Sequence, residues 1–296
     1  MKIVITSFVM PHELDDLERV LIELNKSSKY VDGSNYEICI SMSLSDYLIN
    51  WETSLVSKDF FIHKFNKLKK LTDWCSNSTF QIREDIMGAL QAKRITHLEF
   101  KDATHFIWLD TDIIFDEMGL VHLENGAKTI ESQNITKYII TPEVVKYWDT
   151  TWDCIVNENF LEKELDYCKT CNPFTDSGVK GDISIETVNN NVNGQPRFKF
   201  GAGWLVMVSK ELLDRIPLPE SMGAYGPDDT FLMWGMELLV RRGEPIYQFK
   251  LKNYVVCENF YYRNQSEYTY LIDRIDRKDE FLKVAHEAFK PELDKL

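Results

Sequence analysis

Along the first 115 residues, short apolar runs alternate with stretches whose apolar positions recur at helical spacing. Lys2 to Phe8, built on Ile3-Val4-Ile5, reads as a strand, and Tyr36 to Ser41 as a second. Between them Leu14, Leu17, Leu21 and Leu24 share one helical face and predict a helix over Glu13 to Leu24. A second helix is predicted over Thr79 to Leu98 from Ile82, Ile86, Leu90 and Ile95, followed by a strand over His105 to Asp110. Strands separated by helices imply right-handed crossovers and a mainly parallel central sheet. Ligands of such sheets collect beyond the carboxyl ends of the strands.

The rest of the chain continues this α/β pattern less regularly. Glu117 to Ile130 reads as a helix and Tyr138 to Thr141 as a short strand. Residues 143–200 carry aromatic and acidic clusters, Tyr147-Trp148-Asp149 and Trp152-Asp153, and a polar loop or hairpin tip at Asn189 to Pro196. Phe200 to Val208 predicts a strand entered through Gly201 and Gly203. Helices are expected at Ser209 to Arg215 and Asp228 to Val240, and strands at Pro245 to Leu251 and Tyr254 to Cys257. A last amphipathic helix carries Ile272, Ile275, Phe281, Leu282, Ala285 and Phe289. No repeat or linker divides the chain, so residues 1–296 are read as one domain.

Composition narrows the partners. The 296 residues are 44% hydrophobic and 12% aromatic, enough for a large core. A net charge of −13 argues against a nucleic-acid or anionic-membrane surface. The densest basic run, Lys64, Lys67, Lys69 and Lys70, reads as a solvated helix face. No segment approaches the ~18 consecutive apolar residues of a membrane span, and the first residues read as a strand, so a cytoplasmic protein is expected. The six cysteines include one isolated pair, Cys168 and Cys171, and suit a reducing compartment. The sequons at Asn77, Asn134 and Asn264 are read as chance matches.

Candidate chemistry lies at the end of the most apolar strand, Phe106-Ile107-Trp108-Leu109-Asp110-Thr111-Asp112. Alternation along a strand would put Asp110 and Asp112 on the same side, where two carboxylates repel unless a cation joins them. Hard carboxylate oxygens suit Mn2+ or Mg2+. A second acidic pair, Asp228-Asp229, follows Tyr225-Gly226-Pro227 and precedes an apolar helix. One Asp there is explained by helix capping, and the other is available as a base.

These motifs, in this order, resemble those of a glycosyltransferase of the GT-A fold, similar to the family-2 enzymes. The match runs from Ile3-Val4-Ile5-Thr6-Ser7-Phe8 through Arg83 and Asp110-Thr111-Asp112 to Gly201-Ala202-Gly203-Trp204 and Gly226-Pro227-Asp228-Asp229. The resemblance implies a nucleotide-sugar donor, a UDP-sugar in the leading reading, and a glycan or other hydroxyl acceptor. Donor contacts would come from Thr6, Ser7, Phe8, Arg83, Asp110 and Thr111, and acceptor contacts from Gly203, Trp204 and Tyr225. Asp110, Asp112 and Glu258 would hold Mn2+ or Mg2+, and Asp229 would act as base beside Asp228 in an inverting transfer. Residues 1–115 would form the nucleotide-sugar half, 116–260 the acceptor and catalytic half, and 261–296 a helical extension. The chain departs from the pattern in three places. Val255-Val256-Cys257-Glu258-Asn259 lacks the His that relatives place there, Ser41 to Asp46 offers no obvious acidic partner for the base, and the acidic motif is Asp-Asp rather than Glu-Asp. Two other readings use the same residues: a haloacid-dehalogenase-type phosphatase with Asp110 as nucleophile, and a non-catalytic carbohydrate-binding protein.

Overall fold

The computed structural model describes residues 1–85, 88–146, 153–161, 168–189, 191–201, 203–259 and 277–296. The clusters at 147–152, Ile86, Ala202, the sequon at Asn264, and Ile272 and Ile275 lie outside the described residues.

The apolar run at the start of the chain is the middle of the structure. Strand β1 (Ile3–Val9) pairs in parallel with β2 (Tyr36–Ser43) on one side and with β4 (His105–Leu109) on the other. Helix α1 (Leu14–Ser27) makes the crossover after β1. Beyond β2 come α2 (Lys58–Leu68) and β3 (Asn77–Arg83), which adds in parallel to β2. Helix α3 (Ala89–Glu99) then leads into β4. The helix expected over Thr79 to Leu98 is therefore a strand followed by a shorter helix. Residues 77–83 gain a full register of pairing with β2, from Glu37–Asn77 to Ser43–Arg83, which outweighs their helix-like apolar spacing.

After β4 the chain turns through β5 (Ile113–Ile114), α4 (Gly119–Glu131) and β6 (Tyr138–Val145). A short α5 (Pro173–Asp176), β7 (Gly178–Thr187) and a small hairpin of β8 (Asn191–Val192) and β9 (Gln195–Pro196) follow. The hairpin expected at 189–196 is present, turned by Asn193 and Gly194, both at positive φ (52° and 77°). Then come β10 (Trp204–Ser209), α6 (Lys210–Arg215), α7 (Asp228–Arg241), β11 (Tyr247–Glu258) and α8 (Arg277–Lys295). The two strands expected at 245–257 are one, interrupted by a register shift where Asn253 takes φ 62°.

The nine-stranded sheet has the order β3-β2-β1-β4-β10-β6-β11-β5, with β7 also on β11. Strands β10, β5 and β7 run against the rest, giving a mixed but mainly parallel sheet. Alternation sorts side chains into two cores. Ile3, Ile5, Ile107, Leu109 and Met207 pack with α1, α2 and α4, while Val4, Phe106, Trp108, Val206 and Val208 pack with α3, α6, α7 and α8. No helix among the described residues is long and apolar enough to cross a membrane. All six cysteines are free.

Candidate functional site

Strand β4 delivers Asp110 to the carboxyl edge of the sheet. By alternation Asp110 follows Phe106 and Trp108 onto the α3 and α7 side. Its N–H donates to the Gly203 carbonyl at 2.8 Å, and a Cβ at Gly203 would overlap the Asp110 carboxylate. Only a residue without a Cβ fits there unless Asp110 moves. The next residues of β10 form a bulge at Leu205, whose φ of 57° is strained for a branched residue.

Beyond Asp110 the chain leaves strand geometry, and Asp112 meets different surroundings. Arg19 on α1 donates to the carbonyls of Thr111 and Ile113, both at 2.8 Å. Burial pushes the Arg19 guanidinium down, opposed by Asp16 and Asp112. The Asp112 carbonyl accepts the Asn259 N–H at 2.5 Å. Asp110 adds to the negative field on Lys93, and Asp112 to that on Arg19.

Lys93 is the charged centre of the site. It lies on the buried stripe of α3 with Leu90 and Thr96, and its Nζ contacts Asp228 Oδ2 at 2.5 Å and sits 4.6 Å from the Trp108 ring centroid. Burial alone would push the ammonium down, but Asp228, Asp110 and Asp229 outweigh it and raise its pKa. A lysine on an otherwise buried helical stripe was the sequence signal for this residue. Helix α3 is stitched to the segment before α7: Gln91 N–H donates to the Ala224 carbonyl at 3.0 Å, and Arg94 to those of Pro219 and Gly223 at 3.0 and 2.9 Å.

Helix α7 starts at Asp228 with Pro227 at the cap position, so neither Asp is the N-cap expected from the sequence. Asp228 is buried and turned to Lys93. The Asp229 carboxylate accepts the Thr230 N–H at 2.6 Å and keeps part of its surface open. Burial, then Asp228, and to a smaller extent Asp110, push Asp229 up to about 7 against the opposing pull of Lys93. A carboxyl group with that pKa is suited to taking up a proton near neutrality.

On the β1 side, Thr6 is buried with its hydroxyl 3.0 Å from that of Thr96, while Ser7 Oγ is buried with no hydrogen-bond partner. Phe8 is half-buried against the core. Arg83 is not on a helix; it ends β3, and its guanidinium makes a two-pronged pair with Asp85 at 2.8 and 2.6 Å. Tyr225 packs against Gly88 at the head of α3. Trp204 is 6% exposed and edges onto Phe200 at 5.7 Å, so it packs as a core side chain with little face open to a sugar.

Glu258 pairs with Ile113 across the β5–β11 ladder, next to Asp112, and lines a small recess with Lys146, Val144 and Trp204. Among the described residues, no three His, Cys, Asp or Glu side chains converge into a ready-made metal cage. The donor set present is hard: Asp112 and Glu258, with the buried Asn259 Oδ1 adjacent and without a hydrogen-bond partner. Such a set fits a Mn2+ or Mg2+ ion that takes its remaining oxygens from a bound diphosphate. The Cys168–Cys171 pair packs near Cys257, whose thiol is pushed up by burial and by Cys171, as expected of an inert buried thiol.

No family model and no curated protein matches this sequence. Solved structures do match. S. aureus TarS 1-349 in complex with UDP aligns at 11% identity and TM-score 0.48, over 97% of this chain and 71% of that one. GalNAc-T7 with UDP, GalNAc and Mn2+ aligns at 13% identity and TM-score 0.53, over 87% of this chain and 44% of that one. The chain spans 36% of the length of the longer S. aureus TarS structure and under half of GalNAc-T7. The likeness to GalNAc-T7 is one of fold, and with the sheet described above it gives this chain the GT-A architecture.

Proposed function

We propose that this chain is a metal-dependent glycosyltransferase that moves a sugar from a nucleotide-sugar donor, in the leading reading a UDP-sugar, to a hydroxyl of a glycan or other acceptor. The observation that carries the reading is the charge cluster around Lys93. It joins Asp110, at the end of a β4 strand in residues 1–115, to Asp229, at the head of α7 in residues 116–260. The GT-A architecture, and a neighbour in that fold crystallised with UDP and Mn2+, support the same class of donor.

The donor nucleotide would lie along the carboxyl edge of β1 and β4, where the unpartnered Ser7 hydroxyl is available to it. Arg83 would exchange Asp85 for the donor's phosphates, a swap between two anions that costs little at an exposed pair. Asp110 would contact the donor ribose or share the metal. Asp112 and Glu258, with Asp110, would hold Mn2+ or Mg2+, which when bound supplies positive charge to the diphosphate leaving group.

On the acceptor side Gly203, Trp204 and Tyr225 would contact the acceptor. Lys93 keeps Asp228 turned inward, which leaves Asp229 as the carboxylate open to an incoming hydroxyl. Asp229 would take the hydroxyl proton as the oxygen attacks the anomeric carbon from the face opposite the leaving diphosphate, inverting that centre. The first test is a panel of UDP-, GDP-, dTDP- and CMP-sugars with Mn2+. Metal-dependent binding and slow release of the free nucleotide are expected for at least one donor, and neither with any of them would overturn the proposal.

A further inference from the structure

We propose that Arg19 is a positioning residue that fixes the Asp110–Asp112 turn from behind, so that the Asp112 carboxylate is held in place for a divalent metal. The inference rests on the metal use proposed above and extends it to a residue on α1.

The turn has little structure of its own. Strand β4 ends at Leu109 and β5 is only two residues long, so Asp110 to Asp112 lie between strands, tied at their ends by the Asp110–Gly203 and Asn259–Asp112 backbone bonds. Arg19 adds further bonds to this turn. Its two terminal nitrogens donate to the carbonyls of Thr111 and Ile113, each at 2.8 Å, on either side of Asp112. The carbonyl between them, that of Asp112, takes the Asn259 N–H at 2.5 Å. Three consecutive peptide groups are therefore held, two by one guanidinium fork and one by the end of β11.

The two braces are joined. Asp16 Oδ1 accepts from Arg19 at 3.4 Å and from Asn259 Nδ2 at 3.5 Å. A planar fork suits this task because its donors are fixed relative to each other, whereas a lysine ammonium cannot bond both carbonyls in the same geometry. The arrangement also brings one positive charge close to Asp112.

The test measures free Mn2+ by electron paramagnetic resonance as the ion is titrated into full-length protein with UDP present. Wild type, Arg19→Lys, Arg19→Met and Asp112→Ala are compared, each with its melting temperature and its metal-free UDP binding. Both Arg19 variants are expected to bind Mn2+ about 10- to 100-fold more weakly. Metal-free UDP binding by Arg19→Lys should stay at the wild-type level, its melting temperature should fall by no more than a few degrees for the one lost hydrogen bond, and its kcat should recover when Mn2+ is saturating. Wild-type Mn2+ affinity in the Arg19 variants, with affinity lost in Asp112→Ala, overturns the positioning role alone. Failure of both Arg19 variants to fold also overturns it, because Arg19 would then serve the fold as a whole. No Mn2+ binding by wild type overturns the functional reading beneath it.

Discussion

Gly203 accepts the Asp110 N–H at 2.8 Å, and its missing side chain leaves the space that the Asp110 carboxylate fills. One position thus sets both the height and the rotamer of the carboxylate at the end of β4. Gly203→Ala would push the Asp110 side chain aside or move β10, at a cost of about 1–3 kcal/mol for the overpacking. The expected outcome is a folded protein with transfer reduced at least 100-fold, checked by a melting curve and an activity assay on the same sample.

Lys93 and Asp228 form a buried ion pair in which each partner makes the other tolerable. Removing the lysine alone, as Lys93→Met, takes the counter-charge from Asp228 and from the nearby Asp110 and Asp229 and should cost about 3–5 kcal/mol. The double variant Lys93→Met with Asp228→Leu should recover part of that loss, because it removes the buried Asp228 charge but leaves Asp110 and Asp229 without Lys93. Urea unfolding of the single and double variants measures the coupling directly.

Asp229 carries a pH signature. Its folded pKa, about 7, lies above the unfolded carboxylate value, so the fold favours the neutral form. That contribution is fully present below the unfolded value of about 4 and is lost as pH rises through about 7. Asp229→Asn does not titrate, so its stability advantage over wild type should grow from pH 4 to pH 7 and then level off at about 4 kcal/mol. Transfer should run the opposite way in wild type, rising with pH through about 7 as the base ionises, and it should be abolished in Asp229→Asn. Chemical unfolding across pH, set beside the rate profile, checks both signs.

Arg83 at the end of β3 is paired with a local carboxylate, Asp85, with Glu99 adding to the negative field around it. If it serves donor phosphates, Arg83→Ala should raise the donor KM about tenfold, with kcat little changed and stability within about 0.5 kcal/mol. Initial-rate kinetics at saturating acceptor separates the two parameters.

Much of the framework was legible from periodicity. The helix around Leu14, Leu17, Leu21 and Leu24 and the strand leading to Asp110 are where the pattern put them, because each has one face wholly committed to a core. β3 was misread because Ile82, Ile86 and Leu90 mimic a helical stripe across what is a strand end and a helix start. β7 went unseen because much of its length is exposed and polar, so it lacks the apolar run that announces a buried strand. The acidic pairs could be found as motifs, but their counter-charges could not. Lys93 and Arg19 acquire their roles only when α3 and α1 are brought against turns remote in sequence. Trp204, an aromatic beside a glycine-rich motif that resembles a sugar platform, is a buried side chain set edge-on to Phe200, a packing that the motif alone does not reveal.

The most direct test of the account is calorimetric binding of a UDP-sugar, with and without Mn2+, to wild type, Asp112→Asn and Asp229→Asn, with transfer measured in parallel. The account predicts Mn2+-dependent binding by wild type, its loss in Asp112→Asn, and its retention in Asp229→Asn together with loss of transfer. Binding that ignores Mn2+ in wild type, or that falls equally in both variants, would contradict it.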